Sequence, residues 1–89
     1  METAHIVSVK REEVRLVAAN PKRLALLVEN FDEPFMVVRV YVAGAAHDRM
    51  LKKFEWLACE VDGGAYLGDV FAFRPGGVGD CGFVEESAP

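Results

Sequence analysis

The sequence predicts a mainly β protein, built as a small antiparallel β-sandwich or barrel. Three observations favour this fold class. Apolar runs such as Leu24–Val28 and Phe35–Val42 have the length of strands rather than of helices. Pro21 lacks a backbone N–H and pushes Asn20 into an extended conformation, so we expect no helix to cross this point. Seven of the eight glycines follow residue 62, and they divide that part of the chain into short segments joined by turns.

The composition is that of one folded domain, which we assign to residues 1–89. Hydrophobic residues make up 52% of the chain and charged residues 27%, a balance that excludes intrinsic disorder. No apolar run approaches the roughly 20 residues that a membrane span needs, and the first residues lack the layout of a signal peptide. We therefore expect no membrane partner and a protein that is cytoplasmic when synthesised. The net charge of −4 argues against nucleic acid as a partner, because a binder must neutralise phosphates.

The N-terminal segment holds two strand candidates and a charged connection. Ile6–Val9 is an apolar run broken by one serine, and Lys10–Glu13 is charged throughout. After it, Val14 and Leu16 alternate with Arg15, which is typical of a strand with one face in water. The charged tetrapeptide is then a hairpin turn or a solvent-exposed bend.

A corner follows at Ala19–Arg23. The Asn20 side chain is of the kind that bonds its own backbone two residues on, and Pro21 fixes φ. Arg23 is long enough to reach a carbonyl or a carboxylate across the corner. We assign Asn20, Pro21 and Arg23 structural roles.

The strand after the corner is the most apolar of the chain. Leu24–Val28 is five apolar residues in a row, which predicts a central strand buried on both faces. It ends at the turn signal of Asn30–Pro34, and the next strand is Phe35–Val42, interrupted by Arg39, which should face water or a partner. Because only a short turn separates the two strands, we expect them to pair as an antiparallel hairpin.

Residues 48–59 fit two structures. The apolar residues at helical spacing are Met50, Leu51, Phe54, Leu57, Ala58 and Val61. Asp48 would cap such a helix and Gly63 would end it. With a period of two, Leu57 and Cys59 share one face while Phe54 and Trp56 share the other, which fits a strand. One short helix around residues 48–59 and a strand both remain open.

The last third is divided by glycines into short strands. Val70–Phe73 and Cys81–Glu85 are strand candidates, and the Pro-Gly-Gly sequence at 75–77 predicts a turn or bulged loop between them. Residues 86–89 form a polar tail that we expect to be flexible.

No constellation of residues in the chain indicates catalysis. Cys59 and Cys81 match no metal-ligand spacing and are expected to be buried thiols. His47 and Asp48 are adjacent in a loop of small residues, but neighbours in sequence seldom point the same way, and no third ligand or nucleophile stands nearby. The glycines at 76, 77 and 79 do not follow the spacing of a phosphate-binding loop. We therefore predict no enzyme, no catalytic residues, no metal and no cofactor.

Two blocks of sequence resemble small phage and prophage β-sandwich proteins. The first is an Ala-Asn-Pro-x-Arg corner and an apolar strand ending in Glu-Asn, Val17–Asn30, followed after a gap by Val40-Tyr41-Val42. The second is a glycine-rich turn leading to a Val-x-Ala strand, Asp62–Phe73, with a final strand through Phe83–Glu86. The chain departs from that pattern at Arg49–Trp56, which is charged and bulky where those proteins have small residues. The resemblance implies a protein that decorates or builds a virion, and it supplies no catalytic residues.

Two functions follow as expectations. The first is a non-enzymatic structural or interaction protein of a phage or prophage particle, which acts by self-association or by docking to a larger assembly. A homo-oligomer and protein partners are expected, and the contact anchors are sought among the aromatic residues Tyr41, Trp56, Phe71 and Phe73. The second is a small acidic binding module, an adaptor or inhibitor that covers a basic site on a partner. Its acidic face would draw on Asp32, Glu33, Glu60, Asp62, Asp69, Glu85 and Glu86.

Overall fold

A computed structural model describes all 89 residues, and its regular structure consists of strands alone. In chain order the strands are β1 (Glu2–Val9), β2 (Val14–Val17), β3 (Arg23–Asn30), β4 (Met36–Val42), β5 (Ala45–Leu51), β6 (Trp56–Ala58), β7 (Glu60–Val61), β8 (Gly64–Ala65), β9 (Val70–Phe73) and β10 (Gly79–Ser87). Sheet A has the strand order β1-β10-β3-β6, sheet B has the order β2-β9-β4-β5, and β7 and β8 form a small hairpin. All neighbours pair antiparallel, so the predicted mainly β fold class is confirmed.

The two four-stranded sheets enclose one hydrophobic core. Alternate residues of the strands point to this core, as the pleat requires, except in β2, where a register shift buries both Leu16 and Val17. Sheet A and the segment after β6 contribute Val9, Leu26, Val28, Cys59 and Cys81, and sheet B contributes Leu16, Val17, Met36, Val38, Leu51, Val70 and Ala72. The structure has no helix, and so none that is long and apolar enough to cross a membrane.

The predicted hairpin between the two central apolar strands is wrong. β3 pairs with β10 and β6 in sheet A, whereas β4 pairs with β5 and β9 in sheet B. The segment Phe31–Phe35 carries the chain from one sheet to the other instead of turning it back. The charged bend at Lys10–Glu13 does the same between β1 and β2. Short connections therefore join the sheets across the core at both places.

The buried side chain of Arg74 holds the crossing between β3 and β4. Its Nη1 donates hydrogen bonds to the carbonyl oxygens of Asp32, at 3.1 Å, and of Pro34. Its Nη2 donates to Asn30 Oδ1 and, at 2.7 Å, to the carbonyl oxygen of Asp80. The guanidinium thereby supplies donors to carbonyl oxygens of the connection, at Asp32 and Pro34, and links them to Asp80, whose carbonyl oxygen also accepts the Phe31 N–H at 3.1 Å.

The possible helix at residues 48–59 is also wrong. β5 continues to Leu51, a loop follows at 52–55, and β6 begins at Trp56. Asp48 binds Arg39 through two hydrogen bonds, of 2.7 and 2.8 Å, and so is not free to cap a helix. Pairing along the whole of β5 with β4 satisfies backbone groups that a helix would have to satisfy internally.

Two hairpin turns explain why β4 and β5, and then β7 and β8, pair so tightly. The two central residues of each turn have positive φ: Ala43 (51°) and Gly44 (80°) in the first, Asp62 (52°) and Gly63 (80°) in the second. This is the type I′ geometry that matches the twist of paired strands. The glycine at the second central position tolerates that conformation without strain.

The corner before β3 is a β-turn. The Arg23 N–H donates to the Asn20 carbonyl oxygen at 3.2 Å, and Pro21 occupies the first inner position, where its fixed φ suits the turn. Asn20 Oδ1 accepts a hydrogen bond of 3.0 Å from the N–H of Lys22, two residues on. The geometry at Asn20 and Pro21 is local and structural.

Arg23 is buried at the corner and ties together three segments that are remote in sequence. Its Nε donates to Glu85 Oε2 at 2.7 Å, and its Nη2 donates to the Ala18 carbonyl oxygen at 2.7 Å. Its Nη1 donates to the carbonyl oxygens of Tyr66 and, at 3.0 Å, Gly68. The corner, β10 and the loop before β9 are thus joined through one guanidinium.

Candidate functional site

The outer surface of sheet A carries apolar side chains that no other part of the protein covers. Two cross-strand rows run over all four strands: Ala4, Val84, Leu27 and Ala58 in one, and Ile6, Gly82, Glu29 and Trp56 in the other. Except for Ala58, the residues of these rows line an open depression of about 570 Å³, together with His5, Phe31 and Phe83. We call this surface the sheet-A face, formed by Ala4, Ile6, Leu27, Phe31, Trp56 and Val84.

The side chains of the sheet-A face are exposed to an extent unusual for their type. Ile6 is 75% exposed, Trp56 63%, Leu27 42% and Val84 38%. The prediction that Leu24–Val28 is buried on both faces is therefore wrong for the outward face. β3 is central in its sheet, as its pairing with β10 and β6 shows, but nothing packs on the outside of that sheet.

Gly82 shapes the middle of the sheet-A face. A Cβ atom at this position would lie 2.7 Å from Cε2 and Cζ of Phe31, closer than any van der Waals contact allows. The absence of a side chain therefore lets the Phe31 ring lie against the backbone of β10. The depression next to the ring follows from this close approach.

Trp56 is held in place by the loop that precedes it. The Phe54 N–H donates to the Asn30 carbonyl oxygen at 2.7 Å, and the Asn30 N–H donates to the Glu55 carbonyl oxygen at 3.0 Å. The buried Asn30 amide donates to the Leu51 carbonyl oxygen at 2.9 Å. Phe54 itself has φ of 67°, a rare conformation for a bulky residue. The backbone that leads into Trp56, the first residue of β6, is thus held in place.

Three of the four aromatic residues predicted as contact anchors lie on the opposite side of the molecule. Tyr41, Phe71 and Phe73 are on the outer surface of sheet B, where Tyr41 and Phe71 pack edge to face with ring centroids 5.6 Å apart. The Arg39 guanidinium covers Phe73, with its Cζ 4.9 Å from the ring centroid. Only Trp56 belongs to the sheet-A face, so the structure does not bring the four together.

Charged groups cap the aromatic surface of sheet B. Arg39 bonds both oxygens of Asp48 and, at 3.0 Å, Glu13 Oε1. Hydrogen bonds from the Arg39 guanidinium hold the pKa of Asp48 below its usual value, and the two carboxylates raise the pKa of Arg39. These charged groups satisfy one another and the Arg39 guanidinium covers Phe73, so this surface is less available to a partner than the sheet-A face.

A second cavity, of about 610 Å³, opens between the sheets where β5 overhangs the short β6. Val38, Val40 and Leu57 form its apolar part, and His47 lies at its edge. Asp48 also lines this cavity, and its carboxylate oxygen Oδ1 accepts a hydrogen bond of 2.7 Å from Arg39 Nε. No group of three or more potential metal ligands occurs in the structure.

Both cysteines are buried free thiols. Burial raises the pKa of Cys59 and that of Cys81 to about 11. Because the thiolate is the reactive form, neither cysteine has the low pKa and the exposure that nucleophilic cysteines show.

The carboxylates proposed for an acidic face are dispersed. Asp32 Oδ2 accepts the N–H of Asp80, Asp69 accepts the N–H of Ala19, and Glu85 binds Arg23, so these three carboxylates already have partners within the protein. Glu60 and Asp62 line the cavity between the sheets. Glu86 alone lies on the outer surface of sheet A, opposite Glu2 in β1.

Sequence reasoning missed most of the sheet-A face. Ile6, Leu27 and Val84 were assigned to strands but not to a surface, and Phe31 was placed in a turn. The sequence carried one signal of this surface. A strand that is covered on one face needs only every other residue to be apolar, whereas all five residues of Leu24–Val28 are apolar, so one alternate set is left for the outward face. Which alternate set of side chains faces outward depends on the register of β3 with β10, a strand that is remote from β3 in the sequence.

Comparisons with protein-family models, with curated proteins and with solved structures gave no match to this chain.

Proposed function

We propose that this protein is a non-enzymatic structural or interaction protein that acts through its sheet-A face, by self-association or by docking to a larger assembly. The assembly implied by the sequence resemblance is a phage or prophage particle. One observation carries the proposal: each of the four strands of sheet A contributes an exposed apolar side chain, Ile6, Val84, Leu27 and Trp56, to two neighbouring rows of one surface.

Contiguous apolar patches of this kind mark interaction sites on soluble domains, because each exposed apolar side chain forgoes the free energy of burial. That free energy is about 25 cal/mol for each Å² removed from water. Trp56 is the natural anchor, since tryptophan is enriched among the residues that dominate binding energies. Its preceding loop is fixed by hydrogen bonds to Asn30, so little ordering entropy would oppose its contact with a partner.

A second candidate function is a small acidic binding module that covers a basic site on a partner protein. The observation that favours it is the set of carboxylates around the sheet-A face, Glu2, Glu29, Asp80 and Glu86, none of which forms an ion pair within the protein. Such a module would use the same surface as the structural protein. The two functions differ in the partner, a particle component in one and a soluble protein in the other.

Mass spectrometry of purified particles from induced cultures of the source organism tests the proposal. We expect the chain to copurify with particles at many copies, and a Leu27→Ser/Trp56→Ser variant to stay in the soluble fraction. The matched control is Met50→Ser/Val78→Ser, which removes two exposed apolar side chains, 55% and 63% exposed, from outside the sheet-A face and should copurify like the wild type.

Particles that lack the wild-type chain would contradict the virion role and favour the acidic binding module. Equal copurification of both double variants would contradict the role of the sheet-A face. Circular dichroism of each variant establishes that it is folded, which is expected because all four side chains are exposed.

A further inference from the structure

The strands that form the sheet-A face carry four outward-facing carboxylates. Alternation along these strands places the carboxylates of Glu2, Glu29, Asp80 and Glu86 outward, and no outward-facing strand residue of sheet A is a lysine, arginine or histidine. The Met1 ammonium lies at the end of β1, where it donates to the Ser87 carbonyl oxygen at 2.8 Å, and His5 lines the depression. The lysines nearest to Trp56 in the chain, Lys52 and Lys53, lie in the loop before β6, where Lys53 Nζ is 5.1 Å from the centroid of the Phe54 ring.

These four carboxylates differ from the paired carboxylates elsewhere in the molecule. Glu13, Asp48, Asp69 and Glu85 each form an ion pair with an arginine. The four on the outside of sheet A form none, and their side chains accept no hydrogen bond. Glu29 is the most telling, because it lies half-buried in the same row as Ile6 and Trp56. A contact that covers this row must provide a cation for Glu29 or leave its charge buried and unpaired.

A second copy of the chain is a poor occupant of the sheet-A face. A two-fold contact presents the same patch on both sides, so it would bring together two sets of unpaired carboxylates. The outer surface of sheet B offers no better match: Arg39 is bound by Asp48 and Glu13, and Arg15 lies 3.8 Å from Asp69. On the outer surfaces of the two sheets, a second copy therefore presents no arginine or lysine without a carboxylate partner. The unpaired Arg49 of β5 lines the second cavity instead.

We infer that the sheet-A face receives a different protein, whose contact segment combines apolar side chains with flanking lysines or arginines. This inference rests on the proposed function and selects docking over self-association. The apolar side chains fill the depression between Trp56, Phe31 and Ile6, and the cations of the partner pair with Glu29 and the carboxylates at the rim. Complementary charge of this kind also speeds association at low ionic strength.

Trp56 makes the inference directly measurable, because it is the only tryptophan in the chain and lies in the surface to be covered. The probe is a synthetic amphipathic helix of about 18 residues with a leucine stripe flanked by lysines. The matched probe has glutamate in place of every lysine. Binding is followed by the blue shift of the Trp56 emission and by its protection from acrylamide quenching, with peptides that contain no tryptophan.

We expect the lysine peptide to shift and protect Trp56, the glutamate peptide to do neither, and added salt to weaken the binding. A Glu29→Gln/Glu86→Gln variant should bind the lysine peptide about fivefold to tenfold more weakly. The control variant Glu12→Gln/Glu60→Gln removes the same charge from outside the sheet-A face and should change the affinity less than about twofold.

Three results would overturn the inference. Equal binding of the two peptides, or an equal loss of affinity in the two double variants, would show that the partner is not selected by the carboxylates of this surface. Protection of Trp56 by rising protein concentration alone would identify a second copy as the occupant, which leaves the proposed function standing. If neither peptide nor self-association alters the Trp56 signal and the Leu27→Ser/Trp56→Ser variant also enters particles, both the inference and the proposed function fail.

Discussion

Replacing Arg23 by alanine should destabilise the protein far more than replacing Arg39, although both arginines bind carboxylates. The Arg23 side chain is wholly buried and its partner Glu85 nearly so, with side-chain exposures of 0% and 15%. Arg39 and its partners lie at the surface, where water solvates whichever group remains. The two substitutions therefore separate a buried ion pair from an exposed one in the same protein.

The magnitude for Arg23→Ala follows from what the substitution leaves behind. The Glu85 carboxylate keeps its charge without its partner, and the carbonyl oxygens of Ala18, Tyr66 and Gly68 lose their donors. Breaking a buried pair by removing one member costs about 3–5 kcal/mol, against a total stability on the order of 5–15 kcal/mol for a domain of this size. At roughly 4–8 °C for each kcal/mol, the melting temperature should fall by at least about 12 °C.

Thermal and urea unfolding, each followed by far-ultraviolet circular dichroism, measure the melting temperature and the free energy of unfolding of both variants. Arg39→Ala should stay within a few degrees of the wild type in melting temperature, because exposed ion pairs contribute little. The double variant Arg23→Ala/Glu85→Ala should lose less than the sum of the two single variants, since no unpaired carboxylate remains. A loss below about 1 kcal/mol in Arg23→Ala, or an equal loss in Arg39→Ala, would refute the account of the corner.

Three further substitutions or conditions test the interior. Gly79→Ala should lower the free energy of unfolding by about 1–3 kcal/mol, because its Cβ would lie 2.9 Å from Cζ of the buried Arg74 guanidinium. Gly64→Ala, whose Cβ would have nothing within 4 Å, should be close to neutral in the same urea titration. Burial raises the pKa of Cys59 and Cys81 to about 11, so stability should be complete below pH 9 and decline toward pH 11; a Cys59→Ala/Cys81→Ala variant that shows the same decline would contradict this. Pro21→Gly frees the corner turn in the unfolded chain and should lower the melting temperature by several degrees, and an unchanged value would argue against the structural role of the corner.

Local patterns in the sequence predicted the strands better than their partners. The apolar composition of Leu24–Asn30 and Val70–Phe73 was enough to place β3 and β9, because these residues favour a pleated, half-buried backbone whatever they pair with. The hairpin prediction for β3 and β4 failed because a short connection can either reverse the chain within a sheet or cross to the other sheet. The choice depends on the remote β10 and on hydrogen bonds from Arg74 to the connection, neither of which leaves a local pattern.

In residues 48–59 the local pattern does not even decide the secondary structure. Their apolar spacing fits a helix as well as a strand, and pairing with β4 decides between them by satisfying the backbone of β5. Arg39 was expected to face water or a partner, and it lies on the outer surface, where it binds Asp48. That contact removes the helix cap on which the helical interpretation depended.

The sheet-A face could be predicted only in part. Trp56 was singled out as an aromatic residue, but it was grouped with three aromatics that lie on the other sheet. The grouping failed because residues that share a surface are related by register, not by type. Leu27 and Ile6 come together only because β10 pairs with both β1 and β3. The unpaired state of Glu29 is likewise a property of the folded arrangement alone.

Site-specific photo-crosslinking in induced cultures tests most directly whether the sheet-A face is the contact surface. A benzophenone amino acid is placed at position 56 in one variant and at position 50, on the outer surface of sheet B, in another. The structure leads us to expect a covalent adduct with another protein from position 56, through a segment rich in lysine or arginine, and none from position 50. An adduct from position 50 alone, or no adduct from position 56, would contradict the assignment of the sheet-A face as the docking surface.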